Sequence, residues 1–387
     1  MSQNTSSRPQ FKALTSLRFI AAACIVAHHM RGSFGLPVTC YQNLNLGSAV
    51  SLFFVLSGFV LAYAHDGLKG RNSILEFYTR RWFRIWPLHI AVLAGVILFG
   101  SYLNGGFSWI PPRLSELVAN LFLVQAWVPV PAYYFSFNAV SWSISVEWFF
   151  YLLFPVFVYV MVVRRQIFLA LFISATLVLL MQWIAGHFPV FSGMTSGINQ
   201  HGLVYISPVS RLFEFVVGMA VWIGIRSSAH PINPVLMNGL QIIALLLGVL
   251  YILKSSALVG LCKGSLQLLV GSSSGVFVWA FLIWALSFPY TQTARVLGYR
   301  FLVFLGEVSF ALYMVHYPLG RQIAVWVSET MGWAWPPTQV AVYFGIISLF
   351  ACFLYFFIEK PAIACGRKIG RFFAQTNRPL PLPFGRL

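Results

Sequence analysis

Ten apolar runs, each close to twenty residues long, divide this chain into pieces of membrane length: 13–31, 47–65, 86–103, 141–163, 166–186, 204–226, 235–253, 266–287, 302–323 and 338–358. A hydrocarbon core about 30 Å thick takes about 20 helical residues to cross, so each run specifies a membrane helix. The composition agrees: 59% of residues are hydrophobic and 9% charged, where a soluble globular domain carries about 25% charge. The 387 residues leave no stretch for a sizeable soluble domain. The expected fold is therefore all-α, a polytopic transmembrane helix bundle of about ten spans.

One further run, about 115–128, is too short to span and is followed by Val128-Pro129-Val130-Pro131. Read as a non-spanning or re-entrant segment, it makes the cation bias consistent. The outer side then keeps only Arg31, Arg113, Lys254 and Lys263, Arg18, Arg211 and Arg321 fall within spans, and every other Lys and Arg lies inside. Both termini are expected to be cytoplasmic. The net charge of +17 reflects that flanking bias, so no nucleic-acid partner is expected. The first ten residues are polar and no cleavage site follows, so the first helix reads as a retained span.

Ionisable groups at membrane depth cost several kcal/mol and face protein or a wet cavity. The first span carries Arg18 and His29, eleven residues apart; at about 100° per residue they share a face about 16 Å apart along the axis, while His28 points elsewhere. Ser57 and Gly58 fall mid-span in the second run, where small residues also serve close helix packing. Glu147 is the only acid of its span, beside Ser143, at a depth similar to that of His29. Ser309, Tyr313 and His316 recur at i, i+4 and i+7, a polar stripe that fits either a pore lining or a hydrogen-bonded seam. Arg211 and Glu214, at i and i+3, read as an internal salt bridge.

The longest inner loop, about 66–85, ends in the basic and aromatic run Phe77 to Pro87. It reads as a cationic helix flank or as a phosphate site, since Arg81 and Arg84 at i and i+3, with Arg80 beside them, suit fork-like contacts to phosphate oxygens. The tail from 366 is basic, contains Pro379, Pro381 and Pro383, and reads as a membrane-hugging extension without a fold of its own. Five cysteines show no metal-ligand spacing, so no metal is expected; Cys40 and Cys262 both fall outside and can pair in an oxidising compartment. No internal repeat is apparent, which weakens a transporter reading.

Arg18 followed by His29 and preceded by Leu14-x-x-Leu17, Ser57-Gly58-Phe59, Arg81-x-x-Arg84-Ile85-x-Pro87, Trp142-Ser143-x-x-x-Glu147, Ser309-x-x-x-Tyr313-x-x-His316 and Ile358-Glu359-Lys360-Pro361 together resemble the acyltransferase-3 family of integral membrane O-acyltransferases. The blocks run in the family's order from about residue 12 to 362, without the soluble hydrolase-like domain that some members append. The resemblance implies a membrane acyltransferase domain over 1–362, a basic, Pro-containing cytoplasmic tail over 363–387, and a place in the bacterial inner membrane. It implies transfer of an acyl group, often acetyl, from cytoplasmic acyl-CoA to a hydroxyl of a carbohydrate such as an exported polysaccharide or its lipid-linked precursor. Acyl-CoA is a co-substrate, no cofactor is bound, and the other expected partners are the glycan acceptor and membrane lipids. In that scheme His29 is the general base, Glu147 orients it or stabilises its imidazolium, and Arg18 contacts the donor. Arg80, Arg81 and Arg84 hold donor phosphates; Ser57, Ser143, Ser309, Tyr313 and His316 line the acceptor path or pore. An acyl-enzyme intermediate and the oligomeric state stay open. The alternatives are a transporter or flippase whose Arg18, His29 and Glu147 form a relay, and a sensor or scaffold with an inert polar core.

Overall fold

The computed structural model describes residues 11–30, 33–34, 41–65, 68, 70–103, 113–194, 197–227, 232–332 and 334–375. Regular structure among them is all helical, with no strand. In chain order the helices are α1 (Lys12–His29), α2 (Ala49–Ala64), α3 (Gly70–Leu103), α4 (Leu114–Leu121), α5 (Pro131–Tyr134), α6 (Trp142–Phe157), α7 (Ile167–Ala185) and α8 (Leu212–Ser227). They continue as α9 (Pro234–Gly260), α10 (Gly264–Ser273), α11 (Val276–Leu286), α12 (Gln292–Leu297), α13 (Arg300–Thr330), α14 (Pro336–Leu354) and α15 (Lys360–Gln375). Their starts follow ordinary capping chemistry. Asn233 caps α9 by accepting from the Val235 amide at 2.8 Å, ahead of Pro234 in the first turn; Thr291 caps α12 through the Ala294 amide at 3.1 Å.

Eight continuous helical stretches are long and apolar enough to cross a membrane, and they match eight of the ten expected runs. The other two are α1, 18 residues long with Lys12 and Arg18, and α8, 16 residues long with Glu214 and Arg226. Both charge-bearing helices are shielded by protein: α1 packs along α13, and α8 along α2. The contrast with the periphery is sharp, since 67% of the apolar window at α2 is buried but only 11% of that at α7 and 17% of that at α9. Lipid thus meets the uniformly apolar helices, while ionisable side chains stay within the bundle.

Backbone approaches hold the centre together. A Cβ on Gly58 would collide with the Phe215 carbonyl, one on Gly218 with the Val55 carbonyl, and one on Gly306 with the Thr15 carbonyl. These are the crossings of α2 with α8 and of α1 with α13, and only a residue without a side chain lets the chains come so near. The packing account of Gly58 is therefore the one observed. Arg211 and Glu214 do form the internal ion pair, at 2.9 Å with both side chains about 1% exposed. The guanidinium also lies over Tyr205, Phe54 and Trp142.

Two expectations need correction. Residues 70–85, read as loop, are the first part of α3, which runs unbroken for 34 residues. No Gly or Pro falls between Gly70 and Pro87 to stop it, and Glu76 pairs with Arg80 at i+4. At about 1.5 Å per residue α3 is roughly 51 Å long, well beyond the membrane core. Likewise, the tail is helical to Gln375, because the π-helical turn Tyr355–Glu359 carries α14 straight into α15. α15 lies against the extended part of α3, with Gly366 over Phe83 and Gly370 over Glu76 and Arg80. The boundary expected at 362 thus falls inside a helix. The short run 115–128 comprises α4 and a 3-10 turn, neither long enough to span. Cys40, and with it the pairing to Cys262, lies outside the described residues, as do Arg31, Lys69 and residues 376–387.

Candidate active site

A cavity of about 480 Å³ opens between α1, α2, α3, α6 and α13. Eight of the eleven residues picked from the sequence line it: Arg18, Ser57, Arg81, Arg84, Ser143, Glu147, Ser309 and Tyr313. Each helix supplies one or two of them from its inward face, and all the ionisable side chains among them point into this one space.

Its floor is an ionic cluster. Arg84 pairs with Glu359, whose carboxylate is fully buried. The Arg81 guanidinium can only donate, so His65 accepts from it at its Nε2, 3.0 Å away. Arg81 also lies over the rings of Phe77 and Tyr151. Glu147 accepts from the Tyr151 hydroxyl and, at 3.4 Å, from Ser57. Arg18 feels Arg84, Glu359 and Glu147 electrostatically, yet makes no hydrogen bond or ion pair among the described residues. Arg81 keeps a buried Nε without a partner. Counting Lys12 and Glu307, which line the same cavity, four cations face three carboxylates, and this excess of positive charge fits an anionic ligand.

Above the cluster the cavity closes on Tyr313 and Ser143. The Tyr313 hydroxyl donates to the Val140 carbonyl at 3.0 Å and shares a 2.7 Å hydrogen bond with Ser143, while Ser309 turns back to the Gly306 carbonyl at 2.7 Å. Beyond Tyr313 stands a separate pair: His29 Nδ1 lies 3.0 Å from Nε2 of His316. His316 is buried and His29 exposed. Neither lines the cavity, and the ring of Tyr317 meets His29 edge-on.

The structure thus divides the expected set. Glu147 sits with Tyr151, Ser57 and the arginines rather than beside His29, whose partner is His316. Depth along a span had placed Glu147 level with His29, but its side chain is drawn to Tyr151 one turn further along α6. Arg80 is in neither group and pairs with Glu76 on the face of α3 that α15 covers. Sequence reading passed over Tyr151, His65, Glu307 and Glu359 as site residues. Tyr151 at i+4 from Glu147 and Glu359 as the sole acid of its span were the available signals; nothing local marked His65.

A second, more open cavity adjoins the first through Lys12, Val303 and Glu307, and adds Arg295, Tyr299 and Arg300. Glu307 is anchored by the Tyr355 hydroxyl at 3.0 Å.

The acyltransferase domain family matches residues 11–357, almost the whole helical bundle. The chain belongs to the acyltransferase-3 family. It is a membrane acyltransferase, which sets aside the transporter and the inert scaffold. Over 330 residues it is 32% identical to acyltransferase MdmB of Streptomyces mycarofaciens, covering 80% of this chain and 79% of that protein. It is 24% identical to the peptidoglycan O-acetyltransferase OatA of Listeria monocytogenes, over 97% of this chain, and 26% identical to the O-acetyltransferase OatA of Staphylococcus aureus, over 94%. The acyltransferase spans 60% and 59% of those two relatives' lengths. No solved structure is a significant match.

Proposed function

We propose that this acyltransferase moves an acyl group, acetyl in the first instance, from cytoplasmic acyl-CoA to a hydroxyl of a carbohydrate acceptor on the far side of a bacterial inner membrane. The observation that carries the reading is the alignment of three sites along α1: the cavity shared by Lys12, Arg295 and Arg300, the guanidinium of Arg18, and His29 at the opposite end. That one relative is a peptidoglycan O-acetyltransferase supports a glycan hydroxyl as acceptor. The open cavity with Lys12, Arg295 and Arg300 suits the nucleotide phosphates, and the exposed ring of Tyr299 offers a stacking face. Arg81 and Arg18 then meet the pantetheine arm and thioester, with Arg84 fixing the wall rather than binding phosphate.

Arg18 and His29 are about 16 Å apart along α1, within the reach of an extended pantetheine arm. Lys12 lies about another 9 Å back along the axis, so with the phosphates there the arm carries the thioester past Arg18 to Tyr313, and the acceptor hydroxyl meets it from the His29 side. His29 takes the proton of the acceptor hydroxyl as its oxygen attacks the thioester carbon. The C–S bond then breaks, the thiolate takes up that proton, and the products are the ester and CoA. General-base assistance of this kind is worth about 10²–10⁴-fold in rate.

Thioester turnover tests the reading. Purified protein in nanodiscs is supplied with acetyl-CoA and a panel of glycans, and CoA release is followed beside a folded His29→Ala variant. The expected result is turnover that His29→Ala abolishes while acetyl-CoA still binds. If acetyl-CoA is untouched with every acceptor, or if His29→Ala turns over normally, the proposal is wrong.

A further inference from the structure

Two hydrogen bonds around His316 determine more than its position. Its Nδ1 lies 2.6 Å from the Tyr313 carbonyl oxygen. A carbonyl can only accept, so Nδ1 carries the proton. His316 is 1% exposed, and among the described residues the titratable groups facing it are His28 and His29 from α1 and Tyr313 of α13, with Tyr317 set against His29. Uncompensated by any carboxylate in that set, a second proton on this ring would be a buried cation, so His316 is neutral and its Nε2 presents a lone pair. That lone pair points at His29 Nδ1, 3.0 Å away. The nitrogen of His29 that meets it must therefore be an N–H.

We propose that His316 is a positioning residue which holds His29 in the tautomer protonated at Nδ1, so that the lone pair of the general base sits on Nε2. This rests on the reading of His29 as base and names the group that makes it one. The chain of donors runs in one direction: His29 Nδ1–H to His316 Nε2, then His316 Nδ1–H to the Tyr313 carbonyl. When His29 takes a proton at Nε2, the hydrogen bond from its Nδ1 becomes charge-assisted and strengthens. A carboxylate plays this part in the serine-protease triad; here a buried neutral imidazole does so without placing a charge in the membrane.

Local features of α13 make the arrangement possible. Pro318 has no N–H, so the Met314 carbonyl four residues earlier loses its helical partner. Asn138 supplies the replacement, donating its side-chain amide to that carbonyl at 2.9 Å. The turn that carries His316 is thereby pinned from outside the helix, and Tyr313 is pinned in turn by Ser143 and Val140. Glu147, tied to Tyr151, takes no part.

The test reads the tautomer directly and needs no acceptor. Protein labelled with ¹⁵N-histidine, reconstituted in nanodiscs, is examined by solid-state NMR, with His29→Gln used to assign the ring nitrogens of residue 29. Wild type is expected to show His29 protonated at Nδ1. His316→Ala shifts the proton towards Nε2, and His316→Gln, whose Oε1 can replace the lost acceptor, restores the wild-type pattern. In acetyl-CoA turnover, His316→Ala loses about 10–100-fold in kcat with KM for acetyl-CoA unchanged, and His316→Gln recovers most of the loss. An Nε2–H proton on His29 in wild type, or a pattern indifferent to His316→Ala, overturns the inference. So does a matched rise in KM in both variants, which would mark a merely structural residue. If wild type turns over no acceptor at all, the proposed function fails while the NMR result still decides the tautomer.

Discussion

Arg84 of α3 and Glu359, 275 positions later in the chain, form an ion pair at the base of the central cavity, with the carboxylate fully buried. The pair ties the first half of the bundle to the turn where α14 runs into α15. Glu359→Ala leaves a half-buried guanidinium without its counter-ion, a loss of about 3 kcal/mol. Combining Arg84→Met with Glu359→Leu removes both charges, and most of the stability returns. Thermal unfolding in detergent of the two single variants and the double variant measures the coupling.

Glu147 supplies a second prediction. Glu147→Gln keeps an acceptor for Tyr151 and Ser57 and folds normally; Glu147→Ala strips that acceptor from a buried hydroxyl and costs about 1–3 kcal/mol. Neither changes the ¹⁵N signature of His29, because the carboxylate belongs to the other cluster. A shift at His29 in Glu147→Gln would reconnect them.

Donor binding divides the cations. Lys12→Ala, Arg295→Ala and Arg300→Ala together weaken CoA binding about tenfold or more, with a steeper dependence on salt in wild type than in the variant. Arg80→Ala is silent, since its side chain faces Glu76 away from the cavity. Calorimetry with pantetheine, which has no phosphate, is expected to show no difference between wild type and the triple variant.

The helix crossings give a stability contrast. Gly218→Ala and Gly306→Ala each drive a methyl group into a carbonyl of a neighbouring helix, and no monodisperse protein is expected by size-exclusion chromatography. Gly95→Ala, which meets nothing within 4 Å in the middle of α3, is tolerated and adds about 0.5–1 kcal/mol.

How far the chain could be read in advance follows from the range of each interaction. Apolar length revealed eight of the membrane helices, and spacing on single helices revealed Arg18, Ser57, Arg81, Glu147 and Tyr313, because those signals lie within a few turns. The partner of His29 could not be read that way, since His316 is 287 residues distant and is brought in by the Gly306 crossing. Nor could the ion pair of Arg84, whose partner sits 275 residues on, where α14 runs into α15. The stretch 70–85 misled for a different reason: its charges suggested a loop, but charged residues are good helix formers when nothing interrupts them and a neighbouring helix covers one face.

The glycine crossings bear on how the acyl group travels. Where Gly58 meets the Phe215 carbonyl and Gly306 meets the Thr15 carbonyl, main chains touch main chains with no room for even a methyl group between them. Such crossings resemble the fixed barrel of a lock: the metalwork stays still, and in the proposed reaction only the thin, flexible pantetheine arm moves through it.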